Sequence, residues 1–596
     1  MKNRQAWQVL GFAVLLGSTG RTQATQRVSV TPAGVEGNDY SNGASISADG
    51  RTVAFLSYAT NLASGDTNGV GDAYCRAWVD NENEIVSVDS SSTIGNAASR
   101  APLISADGNF VAFASLATNL VPGDANGIED VFVRSRVLGT TELVSISSSG
   151  VQGNATSFYP SISADGRYVA FMSDATNLVP SDSNGVRDIF VRDRLNGVTQ
   201  RLSISSAGAQ SNGDSHYPSI SADGRYVAFQ SSATNLVPGD TNAVSDIFLH
   251  DRQVGVTLRI SVSSGGVQGN LHSEFASISA DGLSVAFLSS ATNLIGSDTN
   301  GFSDVYCRAW QSNTTEIVSV SSTSALGNNH CSWPSISADG RFVAFNSWSS
   351  NLVPGDTNGA SDVFVRNRSI GTTERVSVSS SGVQGDAGSH FPSISADGRY
   401  VAYLSNATNL VPGDTNAIGD VFVHDRNASG FTSLCRPGLD GVIACPCSNP
   451  PIEVGRGCNN SSGTGGAMLT AGGVAYLSSD TLILTTYGEK PTALSIVLQG
   501  NSLASTGLVY GQGVRCAGGT LRRLFIKNAA AGCIVAPDFG AGDPTVSARS
   551  AAKGDTIQPG QSRWYLVYYR DTIVLGGCPA GSTFNATQTG EVTWMP

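Results

Sequence analysis

The sequence predicts an all-β protein: a seven-bladed β-propeller of seven 58-residue repeats, followed by a small disulfide-containing β-sandwich. The first observation is an internal repeat, because the string Ile-Ser-Ala-Asp-Gly occurs seven times at one constant interval. The second is that each repeat holds four short runs of alternating apolar residues separated by turns, which is typical of a propeller blade. The third is that the repeat stops near residue 427, after which seven of the ten cysteines occur. The repeated aspartates are Asp49, Asp107, Asp165, Asp223, Asp281, Asp339 and Asp397.

The charge of the chain restricts its partners. Charged residues make up 14% of the sequence, the net charge is −12 and the pI is near 5.0. Binding to phosphate backbones requires clustered Lys and Arg, so we expect no nucleic-acid partner.

The first 24 residues resemble a secretory signal peptide. Lys2 and Arg4 precede an apolar run over 6–16, and Thr22-Gln23-Ala24 forms a candidate cleavage site. The run is too short to span a bilayer, and no later run is long enough. We therefore expect a secreted or cell-surface protein, with the periplasm as an alternative, and a monomer without a membrane span.

The third repeat illustrates how one blade is built. Strands are predicted at Tyr159–Ser163, Arg167–Ser173, Asp188–Asp193 and Arg201–Ile204, with a polar loop over 174–187. Apolar side chains alternate along these runs, as they do in antiparallel strands with one face against a core.

The chain begins with an extra fourth strand. Arg27–Val30 precedes the first repeat and matches Ile85–Val88, 58 residues later. We expect it to pair with the last blade and close the ring, which removes exposed sheet edges; the alternative is that Phe431–Cys435 supplies that strand. The predicted domains are 25–431 for the propeller, 432–462 for a Cys/Pro/Gly-rich linker and 463–596 for the sandwich.

The C-terminal region carries three strand-like runs, at Thr481–Leu484, Leu494–Leu498 and Trp564–Tyr569, and no convincing helical period. With an export signal, its cysteines predict disulfides. The alternative is a zinc site, although its Cys-x-Cys core lacks the usual zinc-ligand spacing. That site would comprise Cys435, Cys445, Cys447 and Cys458.

The blade sequence resembles the TolB-like (WD40-like) family of bacterial β-propeller repeats. The resemblance rests on Ser-Ala-Asp-Gly-Arg-Tyr-Val-Ala-Phe at 163–171 and Asp-Ile-Phe-Val-Arg-Asp at 188–193, and it covers about residues 27–427. It implies a propeller fold. The loop before Asp-Ile-Phe is longer than in the family, and no segment resembles the N-terminal α/β domain of TolB proper. The resemblance therefore does not imply TolB's partner, and a fold does not define a function.

A polar loop containing Asp-x-Asn-x-x-x-Asp precedes the third strand of every repeat. Oxygen-bearing side chains at this spacing suit a hard cation, so we expect Ca²⁺ to stabilise these loops. The alternative is ordinary turns, since Asp and Asn bond their own backbone. The candidate ligands are Asp66, Asn68, Asp72, Asp124, Asn126, Asp130, Asp182, Asn184, Asp188, Asp240, Asn242, Asp246, Asp298, Asn300, Asp304, Asp356, Asn358, Asp362, Asp414, Asn416 and Asp420.

One varying position lies just before each innermost strand, and it is aromatic in five of seven repeats. Such a ring near the channel mouth suits a sugar or an apolar side chain, or it packs one blade against the next. His216 and His390 share a neighbouring repeat position, and His272 and His330 share another. The candidate ligand-binding residues are Tyr159, Tyr217, Phe275, Trp333, Phe391, His216 and His390.

These features favour a secreted, non-catalytic propeller that binds a protein or glycan partner through its loop face. The first alternative is a secreted polysaccharide lyase or hydrolase with its site at the channel mouth, supported only by the His and aromatic positions. The second is a structural cell-surface protein. The sequence contains no nucleophile-elbow, His-Glu-x-x-His or phosphate-loop motif.

Overall fold

The computed structural model divides into two compact units, one spanning Thr25–Arg426 and one formed by the chain from residue 427 onward. The predicted signal peptide at 1–24 lies outside the described residues. The structure describes residues 25–380, 382–426, 432–433, 437, 442–447, 449–451, 456–464, 466–472, 475, 477, 480, 482–530, 532–573 and 583–594.

The first unit consists of four-stranded antiparallel sheets, one for each repeat, here called sheets 1 to 7. Sheets 1 to 3 are β2 (Ser41–Ile46), β3 (Thr52–Ser57), β4 (Asp72–Ala77), β5 (Glu82–Ile85); β6 (Ser99–Ile104), β7 (Phe110–Ser115), β8 (Asp130–Ser135), β9 (Thr140–Leu143); β10 (Ser157–Ile162), β11 (Tyr168–Ser173), β12 (Asp188–Asp193), β13 (Val198–Arg201). Sheets 4 and 5 are β14 (Ser215–Ile220), β15 (Tyr226–Ser231), β16 (Asp246–Asp251), β17 (Val256–Arg259); β18 (Ser273–Ile278), β19 (Ser284–Ser289), β20 (Asp304–Ala309), β21 (Thr314–Ile317). Sheets 6 and 7 are β22 (Cys331–Ile336), β23 (Phe342–Ser347), β24 (Asp362–Asn367), β25 (Thr372–Arg375); β26 (Ser389–Ile394), β27 (Tyr400–Ser405), β28 (Asp420–Asp425), with β1 (Thr25–Arg27) as the fourth strand of sheet 7.

The repeated Ser-Ala-Asp-Gly string forms the turn between the first and second strands. In sheet 1, Ser47 Oγ donates to Asp49 Oδ1 at 2.6 Å, and the same carboxylate accepts the backbone N–H of Arg51 at 3.0 Å. Gly50 has φ +73°, and a Cβ there would lie 2.0 Å from the ring of Tyr400 in sheet 7. Glycine is therefore required both by the backbone and by the neighbouring sheet.

Backbone hydrogen bonds between these turns join the sheets into a closed ring. Ala48 N donates to Ala106 O at 3.0 Å in the next sheet, and Ala396 N of sheet 7 donates to Ala48 O of sheet 1 at 3.1 Å. Equivalent alanine bonds join sheets 3 to 7 in order, and between sheets 2 and 3 the donor is Asp107 N, 3.5 Å from Ala164 O. The first strand of each sheet contacts the first strand of the next. The unit is thus a β-propeller whose first strands line the centre.

The N-terminal strand closes the ring, as the sequence predicts. β1 pairs antiparallel with β28, with Thr25 opposite His424 and Arg27 opposite Phe422. The alternative closure by 431–435 is wrong, because Thr432 pairs instead with Glu591 in the second unit.

The fourth strands end earlier than predicted. In sheet 3 the strand covers Val198–Arg201 instead of Arg201–Ile204. The reason is that a serine side chain takes the place of a backbone hydrogen-bond acceptor. Ser203 Oγ accepts the backbone N–H of Ile189 at 3.1 Å and donates to Asp188 Oδ1 at 2.5 Å.

The hydrophobic cores of this unit lie between successive sheets. Val227 and Phe229 of sheet 4, for example, pack with Ala170 and Ile189 of sheet 3. The same arrangement joins sheet 1 to sheet 7, which is why the closing strand matters for both neighbours.

The second unit is also mainly β. Its elements are β29 (Thr432–Ser433), β30 (Met468–Gly472), β31 (Ile483–Tyr487), β32 (Leu494–Gly500), β33 (Ser502–Tyr510), β34 (Gly513–Gly518), β35 (Arg522–Asn528), β36 (Ile534–Ala536), a 3-10 turn (Phe539–Ala541), α1 (Val546–Ala552), β37 (Ser562–Arg570), β38 (Phe584–Ala586) and β39 (Gly590–Thr593). A six-stranded sheet has the order β29-β39-β37-β32-β35, with β38 also paired to β37. One of its faces packs against the three-stranded sheet β30-β31-β36.

The segment predicted as a linker is partly built into this unit. Cys445 and Cys458 form a disulfide, and Val442 and Cys458 pack with Val514. The disulfide excludes the alternative zinc site, which requires both thiolates. Cys447 and Cys516 are disulfide-bonded as well, and Cys533 has a free thiol; Cys435 and Cys578 lie outside the described residues.

The helix α1 was not expected from the sequence. Its period is hard to detect because it spans only Val546–Ala552. Its N-cap is Thr545, whose hydroxyl accepts the backbone N–H of Ala548. Within the described part of the chain, no helix has the length and apolar character needed to cross a membrane.

Removing the closing strand tests its role. A chain that begins at Thr31 lacks β1 and the buried Val28 and Val30. Burial of two valines contributes about 3–6 kcal/mol, and β28 becomes an exposed edge. We expect a lower melting temperature and more light scattering on heating than for a chain that begins at Thr25. Equal melting of the two chains contradicts a closing role.

Candidate functional site

The varying aromatic position lies inside the first strand, as its third residue, and not just before it as the sequence suggested. Each of these residues sits in a β-bulge, where the register with the second strand shifts. Tyr159, Tyr217, Phe275, Trp333 and Phe391 have φ between +46° and +53°. The bulge turns the side chain at the loop-side end of the strand toward the centre of the ring.

The five aromatic rings contact one another from sheet to sheet and form a continuous arc. Ring centroids are 4.9 Å apart for Tyr159 and Tyr217, 5.0 Å for Tyr217 and Phe275, 4.0 Å for Phe275 and Trp333, and 5.0 Å for Trp333 and Phe391. The structure therefore brings together all five predicted aromatic residues, which both pack the sheets and line the central opening.

The arc is interrupted at sheets 1 and 2, where Gly43 and Ala101 occupy the same position. The two rings beside the gap, Tyr159 and Phe391, are 40% and 36% exposed, whereas the three between them are half-buried. The gap opens a cavity of about 450 Å³, also lined by Trp333. Sequence reasoning singled out the aromatic residues and missed that the two small ones create the pocket.

An ion pair stands at the rim of this cavity. The guanidinium of Arg100 donates to both carboxylate oxygens of Glu129, and this bonding raises the pKa of Arg100. Glu129 is buried, whereas the Arg100 side chain is 60% exposed. The cavity is otherwise bounded mainly by apolar groups, among them Pro334 and Pro392.

The two predicted ligand-binding histidines lie beside the arc but far apart in the ring. His216 contacts Tyr217 and His390 contacts Phe391, each at 6.1 Å between centroids. Desolvation lowers the pKa of both imidazoles, and for His216 the cation of Arg187 lowers it further. Among the described residues, no group of three or more His, Cys, Asp or Glu side chains is placed to hold a metal ion.

His250 and His424 lie on third strands, at a repeat position where the other five sheets have arginine. In sheet 3, Arg192 Nη1 at this position donates to Ser147 O, Gly197 O and Thr199 Oγ1 at 2.9–3.2 Å. In sheet 4, His250 takes that place and bonds Thr257 Oγ1 at 2.9 Å. Burial lowers the pKa of His250 to about 4 and that of the equivalent His424 to about 3.

The Asp-x-Asn loops follow one pattern, seen in sheet 1. Asn68 Oδ1 accepts the backbone N–H of Val70 at 3.0 Å, and its Nδ2 donates to Asp72 Oδ2 at 2.6 Å. Asp72 Oδ1 accepts the hydroxyl of Ser87 at 2.6 Å. The asparagine oxygens are therefore engaged by the backbone, as in an Asx turn, while the two aspartates of each loop face a shared space. The equivalent asparagine bonds are present in every sheet.

The group between these two aspartates differs among the sheets. In sheet 3, Arg201 Nη1 lies 2.8 Å from Asp182 Oδ1 and 3.4 Å from Asp188 Oδ2. Arg259, Arg375 and Arg27 lie against the corresponding oxygens of sheets 4, 6 and 7. In sheet 2, Gln152 Nε2 bridges the two atoms at 2.7 and 2.8 Å.

In sheets 1 and 5, no described residue places such a donor between the two aspartates. Ile85 and Ile317 stand at the arginine position there. Desolvation raises the pKa of Asp72 to about 6 and that of Asp304 to about 6.

Comparisons with solved structures find several similar proteins. The chain is similar to a putative TolB from Agrobacterium tumefaciens, with 19% identity, a TM-score of 0.31, and coverage of 47% of this chain and 80% of that chain. It is also similar to an oligogalacturonate lyase in complex with manganese, with 12% identity, a TM-score of 0.43, and coverage of 68% of this chain and 94% of that chain. A third similar structure is the β-propeller domain of the trilobed protease from Pyrococcus furiosus, with 11% identity, a TM-score of 0.39, and coverage of 65% of this chain and 95% of that chain.

The expected likeness to TolB-like propellers is confirmed as a likeness of fold. No family model matches the chain, and no curated protein matches it. At such low identities the activities in those proteins' names say nothing about this chain.

The replacement His250→Arg tests the structural role of this histidine. Its folded pKa, about 4, lies below the unfolded value of 6.5, so its contribution to stability is present above pH 6.5 and is lost as the pH falls toward 4. The loss amounts to about 3 kcal/mol. We expect the melting temperature of the variant to fall less between pH 7 and 4 than that of the wild type.

The reciprocal control is Arg192→His, which introduces the same buried imidazole into sheet 3 and should steepen the fall. Identical pH profiles for all three proteins contradict the assignment.

Proposed function

We propose that this chain is an exported, non-catalytic, seven-bladed β-propeller with a C-terminal disulfide-containing β-sandwich, and that it binds a protein partner in the gap of the aromatic arc. One observation carries the proposal: five of the seven repeats contribute to a continuous arc of aromatic rings, and a cavity opens at Gly43 and Ala101, which interrupt the arc. Its volume of about 450 Å³ is within the usual range of ligand pockets, about 300–1,000 Å³.

The chemistry of the lining favours an apolar side chain as occupant. Tyr159, Trp333 and Phe391 offer ring faces and edges, and Asn42 and Arg100 are the amide and charged side chains of the lining. Arg100 is already paired with Glu129. A sugar ring requires several free polar groups, whereas a bulky apolar side chain that desolvates such a pocket is the usual anchor of a protein interface.

The location of the pocket supports recognition of a macromolecule. It opens where the first strands begin, beside the Asp-x-Asn loops and the connections from one sheet to the next. Between sheets 2 and 3, for example, the backbone N–H of Ser157 at the start of β10 donates to the backbone oxygen of Glu129, which directly precedes β8. Long loops around a pocket give a large partner additional contacts. Export is supported by the disulfide between Cys445 and Cys458.

Filling the gap tests this proposal. Ala101 has φ +50°, close to the +46° of Tyr159, so Ala101→Tyr places a ring where the backbone already accepts one. The control is Val137→Tyr, at a position that is 71% exposed and does not line the cavity.

The wild-type protein is first screened against a displayed library of random peptides and a glycan array. We expect enriched peptides with a bulky apolar residue, at least tenfold weaker binding of them by Ala101→Tyr in fluorescence anisotropy, and unchanged binding by Val137→Tyr. Equal binding by Ala101→Tyr, or enrichment of glycans alone, overturns the proposal.

A further inference from the structure

We infer that sheets 1 and 5 each bind a hard metal cation between two buried aspartates, Asp66 and Asp72 in sheet 1 and Asp298 and Asp304 in sheet 5. This inference is independent of the proposed partner site. It replaces the sequence-based expectation of seven equivalent calcium loops with two sites and excludes the asparagines as ligands.

The first step is the identity of the two atoms that require a positive group. Wherever a bridging side chain is present, it lies between Oδ1 of the first aspartate and Oδ2 of the second. In sheet 6, for example, Arg375 Nη1 is 3.4 Å from each of Asp356 Oδ1 and Asp362 Oδ2. Four sheets place a guanidinium nitrogen there, so a cation is compatible with this space.

The second step is the absence of that donor in sheets 1 and 5. Ile85 and Ile317 replace the arginine, and Ile94 and Leu326 replace the glutamine found in other repeats. No described residue bonds or ion-pairs with Oδ1 of Asp66 or Asp298, although both aspartates are only 7% exposed. A buried carboxylate oxygen without a partner carries a high cost in free energy.

The third step concerns the other oxygen of the same carboxylates. Asp298 Oδ2 accepts the hydroxyl of Tyr306 at 2.5 Å, and Asp66 Oδ2 accepts that of Tyr74. These two sheets have tyrosine where the other five have phenylalanine. The hydroxyl orients the carboxylate but supplies no positive charge, so each site retains two carboxylates without a counter-charge.

Space and ligand type then select the occupant. In sheet 1, a cavity of about 780 Å³ is lined by Gly65 and Thr67, the chain neighbours of Asp66, and by Ile85 and Ile94, at the positions where longer side chains lie in other sheets. Water can enter it and complete the coordination shell of an ion held by two carboxylate oxygens. Ca²⁺ prefers such oxygen ligands, and so few protein ligands imply weak binding, with a Kd of about 10⁻⁴–10⁻³ M.

Calorimetric titration of the full chain, stripped with a chelator, tests the inference with CaCl₂ as the probe at constant ionic strength. We expect two sites per chain and a higher melting temperature with calcium. The variant Ile85→Arg/Ile317→Arg copies the arrangement of sheet 3 and should lose both effects, whereas Val137→Arg should retain them. Seven sites, no sites, or an equal shift with NaCl overturns the inference.

A second measurement does not depend on the arginine variant folding. Tb³⁺ bound at these sites lies close to Tyr74 and Tyr306, so tyrosine excitation should produce terbium emission that calcium displaces. Tyr74→Phe/Tyr306→Phe restores the residue found in the other sheets and should lose most of this emission. Unchanged emission overturns the inference. The inference is also overturned if the melting temperature of the wild type alone rises from pH 7 to 5 and calcium has no effect. In that case a proton, and not a metal ion, neutralises the aspartate pair.

Discussion

The buried aspartate at the start of each third strand is the constraint on which the ring depends. It is at most 1% exposed in every sheet, and its two oxygens bind a serine just after the fourth strand and an asparagine of the preceding loop. One carboxylate thereby fixes three segments of the repeat. The cost of its burial explains why each sheet surrounds it with hydrogen-bond donors and why most add a positive group. The Asp-x-Asn loop keeps the same shape in every sheet because its asparagine supplies one of these donors.

The two proposed sites lie where the sequence departs from the repeat. Seven identical sheets make a symmetric ring that offers every ligand the same environment seven times. Gly43 and Ala101 break this symmetry on one side, and Tyr159 and Phe391 become accessible only because their neighbours are small. The aspartate pairs also differ among the sheets. The residue at the repeat position of Arg27 decides whether a sheet has its own positive charge beside the pair.

Much of the fold could be predicted from the sequence because the period of 58 residues aligns every strand and turn with six others. Closure by the N-terminal strand was predictable in the same way. The end of the fourth strand was not, since Ser203 replaces a backbone bond with its side chain, which apolar alternation does not reveal. The pocket was also missed, because glycine and alanine attract no attention as ligand-binding residues. Only the ring geometry places them beside Phe391 and Tyr159.

Closure by the first strand has a consequence for biosynthesis. Thr25 bonds His424 across 399 residues, so β1 must wait for its partner strand until the last repeat has been made. Contacts so distant in sequence slow folding, and until they form the last sheet has an open edge. Release of an incomplete chain therefore leaves an exposed sheet edge that is a template for aggregation.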